Sequence, residues 1–127
     1  MRRHVLAICV STGLLAAPSA EAAVSPGNFE MRTMGDLVAL CGVAPNDPYA
    51  DAAIHFCHGY LVGATQFHDM VGKVYSGKVF CLPKTGQPTR DEAIDAFVEW
   101  GRAHPEDGGL TPLDGLLKWL ATSYPCA

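Results

Sequence analysis

The chain has 127 residues, with 9 Lys and Arg against 13 Asp and Glu, a formal net charge of −4, and 49% hydrophobic residues. That composition supports one small core, marginal without extra constraint. No basic stripe exists, which speaks against a nucleic-acid role.

The first element is a leader. Met1-Arg2-Arg3-His4 is basic, Val5 to Ala17 is apolar, and Pro18-Ser19-Ala20-Glu21-Ala22-Ala23 is a small-residue exit. These are the three parts of a secretory signal, with cleavage expected after Ala22. The apolar run falls short of the roughly 20 residues a spanning helix needs. Cys9 lies inside that run behind the bulky Ile8, which argues against a lipid-modified cysteine. Residues 1–22 therefore read as a signal peptide and 23–127 as one mature domain. Losing Arg2, Arg3 and Glu21 leaves a net charge of about −5. Nothing later reaches spanning length, so no membrane role is expected after cleavage.

Four helices follow. Thr33 caps the first, with Asp36 answering it, and Met34, Leu37, Val38 and Cys41 recur at helical spacing. Gly42 is expected to end it in a left-handed conformation. Asp47-Pro48 opens the second, with Asp47 as cap and Pro48 in the first turn. Ala53, Cys57, Tyr60, Ala64, Phe67 and Val71 step by fours and threes and are read as its buried face, fading near Gly72. Asp51, His55, His58, Gln66 and Asp69 take the other side. Gly77, Pro83, Gly86 and Pro88 break the next stretch. Thr89-Arg90-Asp91-Glu92 is a capping box that opens the third helix, with Ile94, Phe97, Val98 and Gly101 inward and a stop before Pro105. Pro105-Glu106-Asp107-Gly108-Gly109 is a turn. Thr111-Pro112 starts the fourth, with Leu113, Leu116, Leu117, Leu120 and Tyr124 inward, and Pro125 closes it. The fold class is all-α, a small four-helix bundle.

The mature part keeps Cys41, Cys57, Cys81 and Cys126, which in an exported small domain read as two disulfides. Three pairings exist and the sequence alone does not choose among them. Geometry prefers Cys41–Cys57, across a short connection, and Cys81–Cys126, because a tight turn should set the third and fourth helices antiparallel. Cys57 to Cys81 is harder, since about 15 helical residues carry the chain roughly 22 Å away.

Candidate chemistry is sparse. His55 and His58 share one side of the second helix with Asp51, but a zinc site needs three or four compatible ligands, and Cys57 points elsewhere and is expected to be oxidised. A solvated polar face accounts for them better, and no cofactor or metal is expected. His68 and His104 are isolated and read as surface or capping histidines. Disulfide cysteines cannot act as nucleophiles, and no nucleophile elbow, phosphate loop or paired carboxylates appear, so no enzymatic activity is expected. Gly59 and Gly63, four apart, allow another backbone to approach. Packing against the first or third helix or a second subunit would offset their cost, and core packing is the preferred reading.

The ordered set is distinctive: Asp36-Leu37 with Cys41, Cys57-x-Gly59-Tyr60-Leu61-x-Gly63, Cys81-Leu82-Pro83, His104-Pro105 and Tyr124-Pro125-Cys126. From about Phe29 to Cys126 this resembles the Rap/Tai family of immunity proteins, which are small periplasmic helical proteins. The resemblance implies a protein that blocks a peptidoglycan amidase delivered by type VI secretion, often as a homodimer, with an exposed loop in the enzyme's groove. The shared motifs carry fold and disulfides rather than partner contacts. The candidate loops are Tyr75–Pro88 and Pro105–Leu110, the second acidic and glycine-rich through Pro105, Glu106, Asp107, Gly108 and Gly109.

Two other classes compete. A periplasmic acid-stress chaperone is also small, helical and disulfide-linked, but two bridges and a well-patterned core oppose the unfolding it needs. A metal carrier would have to use Asp51, His55 and His58.

Overall fold

The structure is a computed structural model that describes residues 23–75 and 77–127; the expected signal peptide, 1–22, lies outside the described residues. It is all-helical, with α1 at Met34–Cys41, α2 at Ala50–Val74, α3 at Arg90–Ala103 and α4 at Pro112–Ser123, and no strand among the described residues. Short 3-10 turns stand at Pro26–Glu30 and Pro105–Asp107. Both expected disulfides are present: Cys41–Cys57 and Cys81–Cys126.

Three helix starts follow their caps. The Thr33 hydroxyl accepts the Asp36 N–H at 3.2 Å while the Asp36 carboxylate accepts the Thr33 N–H at 2.9 Å. The Thr89 and Glu92 pair repeats this at 3.3 and 2.7 Å. Thr111 accepts the Asp114 N–H at 3.2 Å. Each exchange satisfies N–H groups that a helix start leaves without partners. α2 departs from expectation. It begins at Ala50 behind Tyr49, with no side-chain cap. Asp47 instead folds the chain ahead of the helix: its carboxylate accepts Tyr49 N–H at 2.8 Å and Val24 N–H at 2.9 Å. An Asx-type turn thus competes with capping and wins.

The short α1 is the hub, packed against α2, α3 and α4. Met34 and Leu37 are fully buried with Cys57, Phe97 and Leu116, and Phe80, Trp119 and Leu120 complete the cluster. Glycines let α1 sink between its neighbours. A Cβ at Gly101 would meet Val38 and Met34, and one at Gly115 would collide with Met34. Gly42 works the same way. Its φ is −99°, so the left-handed ending expected for it is absent. A Cβ there would come within 2.8 Å of Val98, and Arg102 Nη2 donates to its carbonyl at 3.2 Å.

A smaller cluster joins Val24, Leu40 and Ala53 with Phe29, Met31 and Val43, so the segment before α1 lies across α1 and the start of α2. Phe29 meets Tyr49 and Phe56 edge-on at 6.1 and 5.8 Å. This segment carried no assigned element in the sequence reading.

Two buried faces differ from those expected. On α2 the buried line is Ala53, Cys57, Leu61 and His68. On α4 it is Pro112, Gly115, Leu116, Trp119 and Leu120, while Leu113 is exposed.

Candidate interaction surface

α2 has 25 residues, a length of about 37 Å, and only one side of it faces the core. A second side is apolar too. Phe67, Met70 and Val74 are 57%, 49% and 62% exposed, and they share a face with Phe56, Gly59 and Gly63. Gly59 and Gly63 are exposed, and a Cβ on either would meet nothing within 4 Å. Core packing of these glycines is therefore corrected: among the described residues no helix lies on them. With Tyr60, Ala64, Phe67 and Leu113 they floor a shallow surface groove of about 370 Å³. Burial pushes the Tyr60 phenol up, and the nearby Asp114 carboxylate adds to that. Beside the apolar stripe runs a polar flank of Asp51, His55, Gln66, Asp69 and Lys73.

The histidines of α2 do not converge. His55 Nδ1 lies 2.7 Å from the Asp51 carbonyl, within its own helix. His58 Nε2 stands 3.5 Å from Asp91 on α3, across a groove of about 780 Å³ lined also by Ile54, Asp95, Glu99 and Arg102. Among the described residues no group of three or more His, Cys, Asp or Glu is placed to hold a metal ion. His104 stacks on Trp100 at 4.3 Å and its Nδ1 lies 2.8 Å from the Trp100 carbonyl.

His68 overturns its reading as a surface or capping residue. It is 7% exposed, and its ring stacks on Phe80 at 3.9 Å. The signal that could have found it was position: His68 continues the line Ala53, Cys57, Leu61 by sevens and fours.

The two candidate loops are both anchored. In the loop of Pro105, Glu106, Asp107, Gly108 and Gly109, Asp107 is buried and paired with Lys118 Nζ at 2.7 Å. The Gly108 carbonyl accepts Gly35 N–H at 3.0 Å, and the Leu110 carbonyl accepts Met34 N–H at 2.7 Å. This loop thereby serves the open start of α1, and only Pro105, Glu106 and Gly109 face outward. The loop between α2 and α3 is tied by the Cys81–Cys126 bridge and by Cys81 N–H on the Tyr124 carbonyl at 2.8 Å. Pro83 and Pro125 flank that bridge, both exposed. Val79 and Leu82 present apolar surface there.

No curated protein and no solved structure matches the chain. A family model does: that of the Rap1a immunity proteins, over residues 33–126. It spans the capped start of α1, the glycines of α2, all four cross-linked cysteines and the end of α4. The chain belongs to the Rap1a immunity protein family.

Proposed function

We propose that this protein is exported to the periplasm and there binds and neutralises a peptidoglycan amidase delivered by type VI secretion. The observation that carries the reading is the family match over residues 33–126. Two disulfides suit an oxidising compartment. The action is binding rather than catalysis, and a cross-linked body with anchored loops limits the ordering cost of association. The contacts assigned to the effector are the outward Pro105, Glu106 and Gly109 and the exposed part of the loop between α2 and α3.

The working form is a pair of copies joined along the apolar stripe of α2. Four-residue spacing of Gly59 and Gly63 costs helix stability, about 1 kcal/mol per glycine relative to alanine. Nothing among the described residues returns that cost, whereas a second helix approaching closely would. The flank is self-complementary. In an antiparallel pair with its two-fold axis level with Val62, Asp51 stands opposite the partner subunit's Lys73, and His55 opposite the partner subunit's Asp69.

The test is co-expression in the periplasm with any cell-wall amidase that a neighbouring gene encodes. Survival of the cells and a stable complex on co-purification are expected. Continued lysis with no complex would remove the immunity role and leave the fold untouched.

A further inference from the structure

We propose that His68 is a proton-operated latch on the 77–80 segment, closed when its ring is neutral and opened when the ring takes up a proton. Two backbone donors aim at one ring nitrogen: Val79 N–H at 3.0 Å and Phe80 N–H at 3.5 Å, both on His68 Nε2. An atom that receives two N–H groups carries its lone pair, so the ring proton is on Nδ1. Nδ1 is buried, makes no hydrogen bond, and lies 3.6 Å from the Asp69 carboxylate. That neutral tautomer is the only one compatible with the closed segment.

Proton uptake at Nε2 reverses the polarity of the contact. The imidazolium then presents N–H to two N–H groups, and both hydrogen bonds are lost together. The charged ring has a receiver already in place. Asp69, on α2 beside it, is held by Lys78 of the segment at 3.8 Å. The imidazolium takes that carboxylate, and Lys78 loses its partner as the segment leaves. The C-terminal tail meets the segment and its anchor at Cys81 through the Tyr124 carbonyl, the Cys126 sulfur near the Lys78 carbonyl and the disulfide, none of them charged. Asp69 and Lys78 therefore set the electrostatics of the latch.

Opening is local. Cys81 stays bonded to Cys126, so release is confined to residues 77–80. What it uncovers is Phe80, 3% exposed in the closed state and stacked on the same ring. Acid thus frees an apolar side chain on the loop that stands next to the exposed end of α2, while the rest of the core is left intact.

The experiment is amide hydrogen exchange by NMR on the mature protein, with the His68 ring nitrogens followed in the same samples, from about pH 7.5 to pH 5, the range in which histidine changes charge. Protection factors, corrected for intrinsic exchange, should fall about tenfold or more for Val79 and Phe80. Cys81, bonded to Tyr124, should hold its protection. His68→Gln supplies an acceptor oxygen in place of Nε2 and cannot charge, so its protection should stay flat across the range. Asp69→Asn removes the receiver and should move opening to lower pH. Flat protection of Val79 and Phe80 in the unaltered protein, or an undiminished loss in His68→Gln, would overturn the latch.

Discussion

At the scale of single residues, the glycines divide by what an added methyl would touch. Gly115 faces Met34, whose Cβ would stand 2.8 Å from the new carbon, so the neighbour cannot simply swing away. Gly115→Ala should destabilise the protein by about 1–3 kcal/mol, as overpacking of a filled core does. Gly59→Ala meets open space and should raise the stability of an isolated copy by up to about 1 kcal/mol through helix propensity. Urea unfolding of both variants checks the contrast; equal losses would mean that Gly59 is covered from within. Two carboxylates couple residue chemistry to pH. Burial alone would raise the Asp36 carboxyl, but hydrogen bonds from the Thr33 N–H, Asn28, the Thr33 hydroxyl and the Arg32 N–H outweigh it and hold it below its ordinary 3.8. The Thr89 N–H and then its hydroxyl hold Glu92 below its ordinary 4.5. A carboxyl held lower in the folded state stabilises it above the ordinary value, and that contribution is lost as pH falls through the folded value. Asp36→Asn should therefore be less stable at neutral pH and lose less on acidification below about pH 4. Parallel urea titrations at two pH values should show the stabilities of parent and variant converge at the lower pH; an unchanged gap would sink the assignment.

At the scale of elements, the cross-links close two loops of the chain over contacts that packing already makes. Cys41–Cys57 joins the end of α1 to α2 over a separation of 16, and Cys81–Cys126 joins the inter-helix loop to the tail over 45. By the chain-entropy estimate they contribute about 3 and about 4 kcal/mol, a large share of a typical 5–15 kcal/mol total. Reduction should lower the melting temperature steeply, and calorimetry with and without reductant measures it; coincident curves would mean the bridges restrain nothing. The sequence left three pairings open, and loop reach gave the preference for the one the structure has. α1, α3 and α4 were legible, since Thr33, Thr89 and Thr111 each announce a start through local chemistry. The buried face of α2 was not. That helix is apolar on two sides, so a line through Tyr60 and Phe67 reads as core as readily as one through Leu61 and His68, and a histidine disguises the true one. The same ambiguity hid Trp119 behind Leu113 on α4. The interaction surface shares this origin: Gly59 and Gly63 were visible as a motif, but whether they faced in or out depended on a rotation that periodicity cannot set.

At the scale of the whole molecule, the proposed pairing rests on the apolar stripe of α2. Phe67, Met70 and Val74 leave roughly half of each side chain in water, and exposed apolar patches on one helix face are where association occurs. An antiparallel pair brings charge as well as apolar area together, because Asp51 and Lys73 sit at opposite ends of the helix and both are exposed. Reversing one of them, Asp51→Lys or Lys73→Asp, creates two like-charge contacts per pair and should weaken it about three- to tenfold. Making both changes in one chain restores the opposition and should return the affinity. Phe67→Glu places a charge in the centre of the stripe and should give a monomer with an unaltered helical spectrum. Light scattering over a concentration series reads the parent and the four variants. Recovery in the double reversal separates register from mere loss of charge, since the double variant has the same net charge as the parent. If the parent is monomeric at every concentration, or the double reversal stays as weak as the singles, the antiparallel register is wrong. The same Phe67→Glu protein then separates pairing from neutralisation. A monomer that still protects cells from the amidase assigns the effector contact to the loops alone, and one that fails makes the pair part of the binding surface.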